Sequence, residues 1–378
     1  MIKTTTPHIP SHVSKSQLKI AIVTSSLGGG GAQKSSANLS FVLSKLGHKI
    51  HLISVMNSID YDFKGVLLNL GILKEKNDSV WGRIKRFWVF YNYLQTEQFD
   101  YIIDSRARPT FFKQFMINKL LYANQNVIYV VHSSFLNNYF PSSKFLSRLL
   151  YTNATSIACV SKAVHNLVYE KYEFENISTV YNALPSIQSI QPEKIIDLPQ
   201  NYILFFGRVD DSIKNISLLL DAYKRSNLKQ NNIHLVILGD GPDVLKLKTK
   251  INKFELSNFV HFVPYTSQPD LIISKAIFST LTSKFEGFPM VLIESLALGV
   301  PVVSVDCVAG PNEIISHKNN GLLVENHKPK ALAQAFNLMV ENHILYNRCR
   351  KNAKTSVDKF SINQISKIWA NILFEKQL

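Results

Sequence analysis

Residues 18–46 read LKIAIVTSSLGGGGAQKSSANLSFVLSKL. An unbroken apolar run, Leu18–Ser25, meets four consecutive glycines, Gly28–Gly31. Helical spacing follows from Ala32 to Leu46, and Gly47 stops it. A strand that is apolar on both faces is buried between helices, as in a parallel sheet. Four glycines exceed the needs of a tight turn. They let backbone amides approach a phosphate or sugar at a helix N-terminus, where the helix dipole is positive. A dinucleotide fingerprint fits poorly. Its third glycine position falls on Gln33 or Lys34, and no acidic residue ends the next strand, Lys49–Val55.

The same rhythm continues outward. Apolar strands are expected at Tyr101–Asp104, Val127–Val131, Ser156–Val160 and Ile177–Val180, with helices between them, while residues 56–80 read as irregular. Residues 185–200 carry three prolines and no period, which marks an interdomain linker. The alternation restarts at Tyr202–Phe206 and runs to a terminal helix at Ile362–Phe374. The expected fold class is α/β, with two Rossmann-like doubly wound domains facing each other across a cleft. The expected organisation is a polar leader (1–17), a first domain (18–190), a linker (191–200), a second domain (201–360) and a terminal segment (361–378) able to pack back on the first domain.

Length and composition agree. A chain of 378 residues is too long for one ordinary core. With 46% hydrophobic and 18% charged residues it is globular, not disordered. Three scattered cysteines exclude a disulfide framework, and no Cys/His cluster suggests zinc. The leader lacks the apolar core of a signal peptide. The longest apolar stretch, Pro289–Val305, is broken by Glu294 and Ser295 and reads as helix then strand, not a membrane span. A cytoplasmic protein that can touch a membrane surface is expected. The net charge is +15, and residues 1–190 contribute +10 of it, so an anionic partner should meet the first half.

Two loops in the second half carry chemistry. In Gly207-Arg208-Val209-Asp210-Asp211-Ser212-Ile213-Lys214-Asn215, Arg208 and Lys214 flank a strand-to-helix turn where both could meet a diphosphate. In Ser283-Lys284-Phe285-Glu286-Gly287-Phe288-Pro289-Met290-Val291-Leu292-Ile293-Glu294, Glu286 sits in a glycine-containing loop, and Pro289 suits the first helical position. The amides of Phe288, Met290 and Val291 then lie near a helix N-terminus. Glu294 falls inside an otherwise apolar helix and needs a partner, for which a hydroxyl-bearing ligand is a good candidate.

At these residues the chain resembles the GT-B-fold retaining glycosyltransferases of family 4. The E-x7-E pattern is Glu286 and Glu294 within EGFPMVLIESLALGVPVV, and the Arg-x5-Lys pair is Arg208 and Lys214. The glycine loop, Gly47-His48, Val160-Ser161, Tyr181-Asn182-Ala183, Gly239-Asp240-Gly241-Pro242 and Gly310-Pro311-Asn312-Glu313-Ile314 also match in order, over residues 18–375. The stretch Phe285–Glu313 is most similar to members that extend lipid-linked polysaccharide or lipopolysaccharide chains.

The resemblance implies an enzyme with an acceptor-binding first domain and a nucleotide-sugar-binding second domain. Its implied reaction moves a hexose or N-acetylhexosamine from a UDP-linked or related donor to a glycan or lipid-linked glycan, with retention and no metal or other cofactor. It implies that Glu286 meets the donor sugar and Glu294 the ribose. Arg208 and Lys214 would stabilise the leaving diphosphate. Gly30 and Gly31, with Gly207, Gly287, Phe288, Pro289, Met290 and Val291, would complete the donor site. His132, at a strand end, would face the sugar or reacting centre. A GT-B-fold sugar-nucleotide 2-epimerase and a catalytically silent sugar-nucleotide-binding partner are the alternatives.

Two further stretches are ambiguous. Asp60-Tyr61-Asp62 spells the DxD pattern of metal-dependent transferases but lies in the irregular segment, so a solvated loop is expected. Trp81–Tyr93 interleaves cations and aromatics, which suits an anionic membrane interface or a packed helix with a basic outer face. Arg83, Lys85, Arg86 and Trp88, with Arg106 and Arg108, are the candidate acceptor or membrane contacts. No nucleic-acid-binding module accompanies this charge.

Overall fold

The computed structural model describes residues 17–184 and 198–374. Leader residues 1–16 and linker residues 191–197 lie outside these. The first unit runs β1 (Lys19–Thr24), α1 (Gly31–Lys45), β2 (Lys49–Ser54), β3 (Val66–Asn69), α2 (Gly71–Lys76), α3 (Val80–Glu97), β4 (Tyr101–Asp104), α4 (Phe111–Met116), β5 (Val127–Val131), α5 (Lys144–Tyr151), β6 (Ser156–Cys159), α6 (Lys162–Tyr172) and β7 (Ile177–Thr179). The second runs β8 (Tyr202–Phe206), α7 (Asp211–Lys214), α8 (Ile216–Arg225), β9 (His234–Leu238), α9 (Val244–Lys253), β10 (Val260–Val263), α10 (Asp270–Lys275), β11 (Ser279–Leu281), α11 (Met290–Ala297), β12 (Val302–Asp306), α12 (Pro311–Ile314), β13 (Gly321–Glu325), α13 (Pro329–Glu341) and α14 (His343–Ser356), before α15 (Ile362–Phe374).

Each unit has its own parallel sheet, ordered β3-β2-β1-β4-β5-β6-β7 and β10-β9-β8-β11-β12-β13. The central strands, such as VIYVV in β5 and YILFF in β8, are buried along their whole length. Strand order reverses between β1 and β4 and between β8 and β11. Ligand crevices form outside the carboxyl ends of strands at such reversals. Residues 56–80 are not wholly irregular, because β3 and α2 lie there. Both are short, and β3 is an edge strand with no fully buried position, so its apolar spacing gave little signal.

The helix α15 packs against α1 of the first unit. Ile365, Trp369 and Leu373 are buried in one core with Ile20, Val42 and Val130, and the Tyr101 hydroxyl donates to the Leu373 carbonyl at 2.9 Å. Emptying a buried Trp site leaves a cavity that costs about 3–5 kcal/mol. Trp369→Ala should lower the urea midpoint by that equivalent. A loss under about 1 kcal/mol would mean that α15 contributes no core.

Candidate active site

The two units meet backbone to backbone. The Ser134 amide donates to the Glu286 carbonyl at 3.0 Å, and Phe135 stacks on Phe285 with centroids 5.7 Å apart. A Cβ on Gly287 would lie 2.1 Å from the His132 carbonyl oxygen, so only glycine fits there. On another side of the junction, the Glu313 carboxylate accepts from the Lys162 and Ala163 amides at the start of α6 (2.9 and 3.0 Å) and from the Tyr181 hydroxyl (2.8 Å). Acidic groups are favourable at helix N-termini, and this one comes from the opposite unit.

Two helix N-termini face this junction. A Cβ on Gly31 would meet the Met290 side chain at 3.8 Å, which places the start of α1 against the start of α11. Several other helices carry side-chain caps, such as Ser79 on α3, Ser143 on α5 and Ser161 on α6. The starts of α1 and α11, at Gly30 and Pro289, have neither a capping side chain nor an acidic residue in the first turn. The first amides of a helix have no intrahelical partner. Here they are left available to an anion. Pro289 is the cap residue of α11, one position earlier than its composition suggested.

Each carboxylate of the E-x7-E pair has a lysine. Lys214 Nζ lies 2.6 Å from Glu286 Oε1, which also accepts from Ser283 Oγ at 2.6 Å. The loop is tied in place by Lys284 N donating to the Ile213 carbonyl (2.8 Å) and Thr282 Oγ1 to the Lys214 carbonyl (2.9 Å). Glu294 pairs across the cleft with Lys34 of α1, at 2.8 Å. That pair holds the Lys34 ammonium pKa above its usual value despite burial, with Asp270 and Tyr265 adding to the effect. Arg208 is not drawn to the same point as Lys214. It is exposed, with Asp210 at 3.8 Å. Gly207 ends β8 at a φ of 136°, a conformation that side-chain-bearing residues avoid.

His132 Nε2 is 2.6 Å from Ser105 Oγ, which in turn is 2.7 Å from Ser36 Oγ. Its Nδ1 is buried without a partner. Burial, reinforced by the nearby Arg108 charge, pushes the imidazole pKa down to about 3. A neutral ring can hydrogen-bond a sugar hydroxyl but donates no proton as an acid near neutrality.

Arg106 and Arg108 are corrected from surface contacts to counter-ions of a buried carboxylate. Both serve the buried Asp104, whose carboxyl they hold below the usual range despite burial. Arg106 forks onto it at 2.9 and 2.6 Å. Arg108, itself buried, donates to the Asp104, Arg106 and Val130 carbonyls and lies over the rings of Tyr129, Tyr139 and Tyr151. Arg86 is largely covered and bonded to Asp78 at 2.6 Å. Arg83, Lys85 and Trp88 are exposed on α3. The Asp60 loop is stapled to the glycine loop by amides of Asp60 and Tyr61 donating to the Leu27 carbonyl at 3.0 and 2.9 Å. Among the described residues no group of three His, Cys, Asp or Glu side chains converges as a metal site.

Residues 29–185 match the family described as Glycosyltransferase Family 4, and residues 186–356 match Glycosyl transferases group 1. The chain belongs to the GT-B glycosyltransferases and is a transferase. It is 28% identical over 365 residues to the N-acetylgalactosamine-N,N'-diacetylbacillosaminyl-diphospho-undecaprenol 4-alpha-N-acetylgalactosaminyltransferase of Campylobacter jejuni, covering 92% of this chain and 97% of that protein. It is 23% identical to the amylovoran biosynthesis glycosyltransferase AmsD of Erwinia amylovora, over 91% of this chain and 96% of that one. The fold superposes on S. aureus TarM, solved with UDP and alpha-GlcNAc-glycerol, with a TM-score of 0.77 at 16% identity, over 94% of this chain and 100% of that chain.

The His132 environment has a consequence in acid. An unfolded imidazole binds a proton below about pH 6.5, whereas the folded one does so only near pH 3. Where the unfolded chain holds the extra proton, stability falls as pH falls. The contribution is absent above about pH 6.5, grows on acidification and levels off near pH 3. In urea titrations over that range, His132→Asn should lose stability less steeply than the parent chain. Parallel acid limbs would refute a His132 held neutral in the folded chain.

Proposed function

We propose that this glycosyltransferase moves a hexose or N-acetylhexosamine from a UDP-sugar to a glycan or lipid-linked glycan during surface polysaccharide or lipopolysaccharide synthesis. The reaction proceeds with retention and without a metal. The observation that carries this reading is the meeting of two uncapped helix starts, α1 and α11, beside the Lys214–Glu286 and Lys34–Glu294 pairs. The UDP in TarM, the diphospho-undecaprenol acceptor in the Campylobacter enzyme's name and the amylovoran role of AmsD support the donor, acceptor and pathway class.

Glycosyl transfer develops positive charge on the sugar and negative charge on the departing diphosphate. Fixed dipoles and cations aimed at that growing charge lower the barrier without reorganising. The N-termini of α1 and α11 cradle the phosphates, and Lys214 and Arg208 take up the developing charge. Glu286 accepts from sugar hydroxyls and Glu294 from the ribose. Neutral His132 and its neighbours line the acceptor side. The acceptor hydroxyl attacks on the face the diphosphate leaves. The leaving phosphate oxygen then receives the acceptor's proton. The first domain meets the acceptor at an anionic membrane surface, on its cytoplasmic face.

Incubation with a panel of nucleotide sugars and release of nucleoside diphosphate tests the reading. An isomerised sugar nucleotide would indicate an epimerase, and binding without turnover a silent partner. Lys214→Ala should lower turnover by at least about a hundredfold, the usual scale for losing one preorganised charge stabiliser. Near-normal turnover would remove Lys214 from the diphosphate site. Excess chelator should leave the rate unchanged, and a large loss would make Asp60 and Asp62 metal ligands.

A further inference from the structure

Three helical elements of the first unit each carry a second apolar stripe that faces solvent instead of the core. On α3 it is Val80, Trp81, Ile84 and Trp88, with Trp81 78% and Trp88 57% exposed. On α4 and the π-turn that continues it (Ile117–Leu121) it is Phe112, Met116 and Leu120, with Phe112 70% exposed. On α5 it is Phe145, 73% exposed, and Leu149. These elements are neighbours. The π-turn packs on α3 and α4 on α5, and Asn118 Nδ2 donates to the Leu150 carbonyl at 2.8 Å. Their opposite faces supply Phe90, Leu94, Ile117, Leu150 and Tyr151 to the core, so the outer stripes are not needed for folding. Apolar rings in adjacent exposed helices mark an interaction surface.

The charge around them is one-sided. From Ser105 to Tyr169 the chain has no Asp or Glu and has seven Lys and Arg residues. Arg106 and Arg108 are consumed by Asp104, but Lys119 and Arg148 are exposed among the stripes. Along α3 no acid occurs between Asp78 and Glu97, where Arg83 and Lys85 are exposed. Two acids border the face, Asp78 beside Arg83 at 3.6 Å and Glu173 paired with Lys144, so cations are in excess there without being alone. Exposed aromatics flanked by such an excess of cations complement a bilayer in both respects. The rings enter the headgroup and acyl boundary while Lys and Arg meet anionic headgroups. A protein partner would require neither the repetition of the pattern on three helical elements nor so large an excess of cations over acids. Among the described residues no helix is long and apolar enough to cross a membrane.

We propose that α3, α4 with its π-turn, and α5 form one interfacial face that docks the first unit on an anionic lipid bilayer, with Phe112, Leu120, Phe145 and Leu149 inserting beside Trp81 and Trp88. This deepens the membrane-proximal part of the reading above. It extends the contact well beyond the basic aromatic segment of α3 and excludes Arg106 and Arg108 from it.

The intact protein is mixed with vesicles of phosphatidylcholine alone or with phosphatidylglycerol, and flotation and tryptophan emission are followed. The chain has three tryptophans. Trp369 is 4% exposed and silent, so a blue shift reports on Trp81 and Trp88. Flotation and a blue shift with anionic vesicles, weakened by salt, are expected. Phe112→Ser with Phe145→Ser, and separately Lys119→Glu with Arg148→Glu, should each reduce the bound fraction by at least about tenfold. Circular dichroism should remain native, and turnover on a water-soluble acceptor unchanged. Equal flotation of the parent and both variants, or none with anionic lipid, overturns the proposal. So does a concentration-dependent dimer in sedimentation that Phe145→Ser abolishes, since a second copy would then cover the face. Vesicle binding needs neither donor nor acceptor. Failure of the sugar panel with flotation intact therefore refutes only the transferase details, and the reverse result refutes only the docking face.

Discussion

The pressing of Gly287 onto the His132 carbonyl is the constraint on which the site rests. It is a contact between strand-end loops, each following a central strand of its own sheet. Once it is made, the carboxyl ends of both sheets face one another, and everything the strand-end loops carry enters a common space. Lys34 then reaches Glu294, Gly31 comes within contact of Met290, and Glu313 reaches the start of α6. A side chain at residue 287 would wedge the units apart and loosen all three contacts together.

The electrostatics follow from that closeness. A half-covered carboxylate is costly without a counter-charge. Glu286 takes its lysine from its own unit, while Glu294 takes Lys34 from the other. The latter pair bridges the two units and occupies the carboxylate proposed to meet a ribose. Behind this layer, the Asp104–Arg106–Arg108 cluster fixes the ends of β4 and β5, and its net positive charge helps to keep His132 neutral.

Much of this was readable from residue order. Buried parallel strands announce themselves as unbroken apolar runs, and β1, β5 and β8 stood out for that reason. Glu294 was conspicuous as a charge in the apolar run MVLIESLA. What could not be read was pairing at a distance. Lys34 drew attention only as the residue standing where a fingerprint glycine would fall, because its partner Glu294 is in the other unit. Arg106 and Arg108 read as acceptor or membrane contacts after a strand ending at Asp104, and only the fold buries that carboxylate and so demands both guanidiniums. The short edge strand β3 had no fully buried position to give it a pattern. The exposed stripes of α4 and α5 were hidden in the sequence because those helices have apolar residues on both faces.

The placement of α15 bears on biosynthesis. Residues 365–373 pack on α1 within a hydrophobic core to which both units contribute, so the chain crosses back to the first unit after the second is finished. Domains usually mature in the order in which the ribosome releases them. Here the leading lobe must wait, with α1 uncovered along one side, until translation has passed the whole trailing lobe. A nascent chain halted before residue 362 would expose a greasy groove on its earliest-made half, and that groove is where a chaperone would be needed.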